Sequence, residues 1–415
     1  MTEDGALRLG SGRHDVLLPV PAETVTTAHE LTTADGAKVT GVLRVPPGSR
    51  CVVTLMHPRQ DVTHHALVPH LLAGGYAVWT QGSRSPNNDL SLVHEQALVD
   101  FAAGQVFLRD NGSRHVVALG HSGGGALTAF YCEQAAAAPA DRLACAPSGK
   151  PVDLAATTMP EPDGVVFLAP HPGQGVLLSR LVDPSVTDET DPLSVDPDLD
   201  AFDLRNGFRP APEPSTYDEE FLGRYRAAQA ERIARIDACA LDLVAGARAA
   251  NRRYKAGQDP LDRRAAIAPR IVTVYRTDAD PRTVDLSLDA NRRPYGSLFG
   301  RRPDLTNYGL VGFGRLSTAD AWLSTWSANH SNAGFLRCAP AVRVPTLLLG
   351  FSGDQASFPS DLSAMEAALG AQDLEAGSVD GTHFGGPIAP GHPSGSVLAA
   401  GAILRWLAER FPARG

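Results

Sequence analysis

Residues Gly120-His121-Ser122-Gly123-Gly124-Gly125 set one hydroxyl in a glycine-rich turn between two apolar runs, His115–Leu119 and Ala126–Cys132. The first run reads as a strand and the second, rich in alanine, as a helix. Strand, Gly-x-Ser-x-Gly, helix is the arrangement that presents a serine as a nucleophile. A side chain at position 120 or 124 would collide with the neighbouring strand or helix, and glycine tolerates the sharp turn. The turn lifts the Ser122 hydroxyl clear of the sheet edge and aims the first N–H groups of the helix at the same spot.

A serine hydroxyl is a poor nucleophile until a base takes its proton, so the chain must also supply a histidine and a carboxylate that orients it. Asp354 lies just past the apolar run Thr346–Leu349, in Gly350-Phe351-Ser352-Gly353-Asp354. His383 lies just past the last strand-like run, in Asp380-Gly381-Thr382-His383-Phe384-Gly385. Catalytic groups of open parallel sheets gather at the carboxyl ends of the strands. Ser122, Asp354 and His383 all follow such ends, in that order. Asp361 and Asp380 compete with Asp354, and His383 taken alone reads as a structural histidine in a glycine-rich loop.

The elements that must hold these residues alternate. Strand-like runs span His14–Val20, Lys38–Val45, Cys51–Met56, Tyr76–Trp79, Val165–Leu168, Val344–Leu349 and Leu374–Val379. Helical patterns span Thr63–Ala73, Leu90–Leu108, Ser360–Leu369 and Val397–Arg410. Continuous apolar strands between helices indicate an α/β fold, a mostly parallel sheet covered by helices on both faces. From about 171 to 340 the rhythm stops. Asp183–Asp203 is acidic and rich in Pro and Ser, a solvated loop. Asp218–Tyr254 keeps a three-to-four apolar spacing, one long helix or two stacked ones. Ile271–Tyr275 and Thr283–Leu288 flank Thr277-Asp278-Ala279-Asp280-Pro281 and read as a hairpin.

With these residues in place the chain resembles the α/β-hydrolase family over about residues 38–170 and 342–412. The resemblance implies a core domain of residues 1–170 and 341–415, with a large, mainly helical insertion, 171–340, where that family carries its lid. It makes Ser122 the nucleophile, Asp354 the acid and His383 the base, with no metal or organic cofactor. One oxyanion donor is then the Gly123 N–H. The other comes from the loop after the early buried strand, where the family usually has His-Gly and this chain has His57-Pro58. Proline has no N–H, so Arg59 is the position carried over.

The expected function is hydrolysis of a carboxylic ester or lactone of a medium-to-bulky, largely apolar substrate through an acyl-enzyme on Ser122. Trp322 and Trp326, with Phe313 and Phe335, are candidate pocket walls or the insertion's own core. His57 and His121 flank the nucleophile as candidate substrate contacts, and His57 also reads as a brace for its loop. The alternative is a carbon–carbon bond hydrolase acting on a diketone-like substrate, with the Arg59 side chain binding a carboxylate. A non-catalytic ligand-binding protein is the third reading. A serine at 122 argues against dehalogenase and epoxide hydrolase chemistry, which use an aspartate nucleophile in this fold.

Composition sets the outer bounds. The 415 residues are 43% hydrophobic and 20% charged, ample for one large core with an insertion. The net charge is -9 and no basic run exceeds two or three residues, which argues against nucleic acid as a partner. No apolar run approaches the roughly 18 residues that span a bilayer. Met1–Gly5 lacks the basic and apolar regions of a signal peptide. The five cysteines are scattered and form no C-x-x-C pair, as expected of reduced thiols in a cytoplasmic protein. The expected partner is a small-molecule substrate, and a homo-oligomer is compatible with the chain. His64, His65 and His70 fall on one predicted helix with no acidic residue at ligand spacing, so solvated or capping roles suit them better than a metal. Asp196, Asp198 and Asp200 lack the Gly and terminal Glu of a calcium loop.

Overall fold

A computed structural model describes residues 20–86 and 88–414. The strand expected at His14–Val20 falls, apart from Val20, outside these residues. Eight strands of the described residues form one sheet, in the order β1 (Val25–Thr32), β2 (Lys38–Val45), β4 (Ala77–Gln81), β3 (Cys51–Met56), β5 (His115–His121), β6 (Gly164–Leu168), β9 (Thr346–Gly353), β10 (Leu374–Thr382). The pairs β1–β2 and β2–β4 are antiparallel, and the remaining pairs are parallel. Every residue of β3, β4 and β6 is buried, as strands covered on both faces require.

One face is covered by α1 (Val68–Ala73) and the terminal helix α11 (Gly395–Arg410), whose Leu71, Ile403 and Trp406 pack on Val53, Val117 and Leu349. The other face is covered by α2 (His94–Asp110), α3 (Gly123–Ala136) and α10 (Pro359–Ala368), through Phe101, Phe130, Tyr131 and Met365.

Two helices start later than their patterns suggest. The run from Thr63 is turns until Val68, with Pro69 in the first helical turn. Only His70 of the three histidines is therefore helical. Leu90–Val93 stays outside α2 because its carbonyls bond elsewhere: Leu90 accepts from the Thr318 N–H (2.8 Å) and Leu92 from Thr325 Oγ1 (2.8 Å).

Between β6 and β9 the chain builds α4 (Gln174–Leu181), α5 (Glu219–Gly257), α6 (Pro260–Ile267), and three short helices, α7 (Pro303–Thr306), α8 (Ala319–Ala321) and α9 (Phe335–Cys338). The expected long helix is a single one. Asp218 caps α5 by accepting from the Phe221 N–H (2.7 Å), and Gln258, at a left-handed φ of 56°, ends it. The expected hairpin is not there. Ile271–Thr273 (β7) pairs instead with Leu316–Thr318 (β8). Residues 281–283 form a 3₁₀ turn held by Asp280, whose carboxylate accepts from the Arg282 N–H (3.1 Å) and pairs with its guanidinium (2.7 Å). A buried ion pair at that point outweighs strand propensity.

Buried polar groups join this segment to the core. Glu95, 0% exposed, accepts from Ser324 Oγ (2.6 Å) and Asn332 Nδ2 (2.9 Å). The His94 N–H donates to the same Ser324 hydroxyl (2.8 Å). Glu95→Ala leaves Ser324 and Asn332 without their acceptor. It is expected to lower the unfolding free energy by about 2–3 kcal/mol, read from urea denaturation; a loss below about 0.5 kcal/mol would show that the two hydrogen bonds contribute little.

Asp278 is fully buried within the segment, beside Ser297 Oγ (2.8 Å) and Thr306 Oγ1. Burial outweighs these hydrogen bonds and pushes its carboxyl up to about 6. Its folded value lies above its unfolded one, so the folded state binds the proton more tightly. Stability therefore falls as pH rises through about 4 to 6 and the penalty is complete above that range. Asp278→Asn is expected to flatten this part of the stability–pH curve, measured by thermal unfolding from pH 4 to 8. An unchanged curve would assign the slope to other groups.

Candidate active site

Ser122 is the turn between β5 and α3, at φ 54° and ψ −123°, a conformation costly for a residue with a Cβ. The flanking glycines let the turn close. A Cβ on Gly120 would lie 2.6 Å from the Gly124 carbonyl oxygen, and one on Gly124 would lie 2.8 Å from that of Met56 in β3. The result is a half-buried hydroxyl above the carboxyl edge of the sheet, with the unpaired N–H end of α3 beneath it.

β9 and β10 deliver its partners. Asp354 follows β9 and is wholly buried; its Oδ1 accepts from the N–H groups of Ala356 (2.7 Å) and Ser357 (2.9 Å). His383 follows β10 and is 1% exposed. Its Nδ1 lies 2.9 and 3.0 Å from the two Asp354 oxygens, and its Nε2 lies 2.8 Å from Ser122 Oγ. With the proton on Nδ1, facing the carboxylate, Nε2 is the acceptor for the Ser122 hydroxyl. The competing carboxylates are committed elsewhere. Asp361 caps α10 and pairs with Arg180 (2.7 Å), and Asp380 pairs with Arg292 (2.7 Å) and accepts from Ser352 Oγ (2.7 Å).

The loop after β3 differs from the expectation. His57 turns back on its own loop, and its Nδ1 accepts the N–H groups of both Arg59 and Gln60 (3.0 Å each). The Arg59 N–H is therefore occupied and does not face Ser122. The Arg59 side chain is occupied too. Asp89 grips the guanidinium with two hydrogen bonds (2.6 and 2.5 Å), and the cation lies over the rings of Phe313 (4.8 Å) and Trp326 (4.9 Å). It is not a waiting receptor for a substrate carboxylate.

Trp326 and Phe313 thus border the space above Ser122, together with Leu177 and Leu298 of the same segment. Trp322 does not. It is buried in the segment's own core, with Nε1–H donating to Asp237 (2.7 Å). Phe335 packs against Phe167 in the main core, ring centroids 4.8 Å apart. His121 is directed away from the nucleophile. One ring nitrogen meets the His383 carbonyl (3.0 Å) and the other meets His65 (2.9 Å).

The space above Ser122 is about 20 Å³, room for roughly one water. Beside it lies a cavity of about 220 Å³, bordered by Leu55, Leu119, Leu168 and Phe351 and by His65 and His121. The two spaces share His57, Gln60 and Phe384 as walls.

Two residues of the site escape the sequence reading. His171 and Gln174 follow β6, in Pro170-His171-Pro172-Gly173-Gln174. His171 Nδ1 accepts the Gly173 N–H (3.1 Å), which leaves the proton of the neutral ring on Nε2. Burial, with lesser contributions from His383 and Arg59, lowers its pKa to about 3, so the ring is neutral in ordinary conditions. The signal was a second His-Pro pair, separated by two residues from a buried strand, comparable to His57-Pro58 after β3.

No family model and no curated protein matches the sequence. Solved structures do. The α/β hydrolase GrgF from Penicillium sp. sh18 aligns over 93% of this chain and 99% of its own, with a TM-score of 0.50 and 12% identity. This chain has the α/β-hydrolase fold. DcsB, solved in complex with its substrate analogue, aligns over 93% of this chain and 100% of its own, with the same TM-score of 0.50 and 12% identity. Est1E from Butyrivibrio proteoclasticus aligns over 92% and 98%, with a TM-score of 0.45 and 11% identity.

Within this α/β-hydrolase fold, no group of three or more His, Cys, Asp or Glu among the described residues is arranged to hold a metal ion. Asp196 and Asp200 spend their carboxylates on nearby N–H groups, those of Asp198 (3.0 Å) and Phe202 (2.8 Å). No described helix is long and apolar enough to cross a membrane.

Proposed function

We propose that this protein is a serine hydrolase that cleaves a carboxylic ester or lactone through an acyl-enzyme on Ser122. One observation carries the proposal: an unbroken relay of hydrogen bonds, Asp354 to His383 (2.9 Å) and His383 to Ser122 (2.8 Å), ending on a hydroxyl held in a strained turn. In such a relay Ser122 Oγ attacks the carbonyl carbon while its proton passes to His383 Nε2. Asp354 holds the imidazole and stabilises its charge. His383 then gives the proton to the departing oxygen, and a water activated by the same imidazole releases the acid.

On this reading residues 1–170 and 341–415 form the catalytic domain and 171–340 its lid. Substrate enters when the lid lifts, because about 20 Å³ above Ser122 admits no acyl chain. The adjoining cavity of about 220 Å³, with its floor of Leu55, Leu119, Leu168 and Phe351, suits a medium-sized apolar group. Catalysis needs no metal or organic cofactor, and the expected partner is a small molecule.

The test is a series of p-nitrophenyl esters of increasing acyl length, run beside a fluorophosphonate probe. Turnover and covalent labelling at Ser122 are the expected results. A protein that is folded, unlabelled and no faster than its Ser122→Ala variant on every ester would overturn the proposal.

A further inference from the structure

Stabilising a tetrahedral oxyanion takes at least two donors, and the usual second donor is missing here. Of the backbone groups after β3, Pro58 has no N–H, and those of Arg59 and Gln60 are both bound to His57 Nδ1. Something else must face the Gly123 N–H across the oxyanion.

The surroundings of Gly123 supply it. A Cβ on Gly123 would lie 2.5 Å from Gln174 Nε2 and 3.0 Å from both His171 Nε2 and His57 Nε2, so three side-chain nitrogens converge on the end of α3 beside Ser122, two of them from the turn after β6. Gln174 is 2% exposed, and neither its Nε2 nor its Oε1 has a hydrogen-bond partner. A buried amide with both ends unpaired is costly unless a ligand completes it. The turn that aims it is specialised: Gly173 sits at φ 123°, and a Cβ there would lie 2.7 Å from the Ala333 carbonyl oxygen. His171 is the second convergent donor, its tautomer set by the Gly173 N–H (3.1 Å).

We infer that the side chains of Gln174 and His171 form the second half of the oxyanion hole, opposite the Gly123 N–H. The inference rests on the hydrolase reading above. As the Oγ–C bond forms, the carbonyl π pair moves onto oxygen and the Ser122 proton moves to His383. The new O⁻ then accepts from the Gly123 N–H, Gln174 Nε2–H and His171 Nε2–H. When the tetrahedral species collapses, the electron pair returns to the carbonyl, and the leaving group departs with the His383 proton. His171 acts as a neutral donor, which asks no proton of it.

The experiment compares Gln174→Leu, His171→Leu and His171→Gln with the unaltered protein, using the best p-nitrophenyl ester and a trifluoromethyl ketone that mimics the tetrahedral species. Each Leu variant is expected to lose about 100-fold in kcat with KM within about 3-fold, and to lose affinity for the ketone by a similar factor. His171→Gln, whose amide nitrogen reaches toward the Nε2 position, is expected to stay within about 10-fold of the unaltered kcat. Should Gln174→Leu fail to fold, Gln174→Met replaces it, and should His171→Leu fail, His171→Phe replaces it; the same loss is expected of each. Unchanged kcat and ketone affinity in the Leu, Met or Phe variants, with Ser122→Ala still inactive, would place the second donor elsewhere and leave the hydrolase reading intact. Turnover that survives Ser122→Ala would remove the oxyanion and this inference with it.

Discussion

Replacing Ser122 by Ala is expected to cut ester turnover by at least about 10⁴-fold while leaving the fold intact. The side chain contributes one atom, Oγ, and that atom is the end of the relay from His383. Without it no covalent intermediate forms, and the remaining donors act only on a water. Stability should change little, because Ser122 is half-buried and its hydroxyl holds up no neighbouring element. The measurement is kcat on the best ester beside thermal unfolding. A variant that keeps more than about a tenth of the activity would mean that another group attacks the carbonyl.

Asp354→Asn is the second large effect, expected at about 10⁴-fold in kcat. Both oxygens of Asp354 lie near His383 Nδ1 (Oδ1 at 2.9 Å, Oδ2 at 3.0 Å), but it is Oδ1 that accepts the two backbone N–H groups, those of Ala356 and Ser357. An asparagine keeps its oxygen toward the two backbone donors. That orientation turns its NH₂ toward His383 and makes Nδ1 the acceptor. The ring then carries its proton on Nε2 and cannot take one from Ser122. Geometry survives and the tautomer does not. Ester turnover by Asp354→Asn within about 10-fold of the unaltered protein would assign the carboxylate's role to another residue.

Much of the sheet was legible because parallel strands covered on both faces are continuous apolar runs, and Cys51–Met56 and Gly164–Leu168 are such runs. Ser122, Asp354 and His383 were legible as candidates because each follows a strand end, a position that depends only on chain order. Apart from its long helix α5, the 171–340 segment was not, for two reasons. Its strands are three residues long and pair across more than forty residues, Ile271 with Thr318. Its core also buries charge. Arg232 and Asp280 read as surface in any hydropathy pattern, yet they are 0% and 2% exposed and held by ion pairs with Glu189 and Arg282. The displacement of Arg59 had a subtler cause. Whether its N–H faces Ser122 depends on how the His57 ring turns, which spacing along the chain does not encode.

Arg59 has one more consequence. The cation and its partner Asp89 both belong to the stretch before α2, while the two rings it lies on, Phe313 and Trp326, belong to the roof. If the 171–340 segment lifts to admit substrate, as proposed above, both rings must leave a guanidinium that stays behind. At about 1–2 kcal/mol for each desolvated contact, that separation alone holds the admitting form to roughly one molecule in a hundred. On that reading the doorkeeper is Arg59, whose N–H is bound to His57 and whose side chain is held by Asp89.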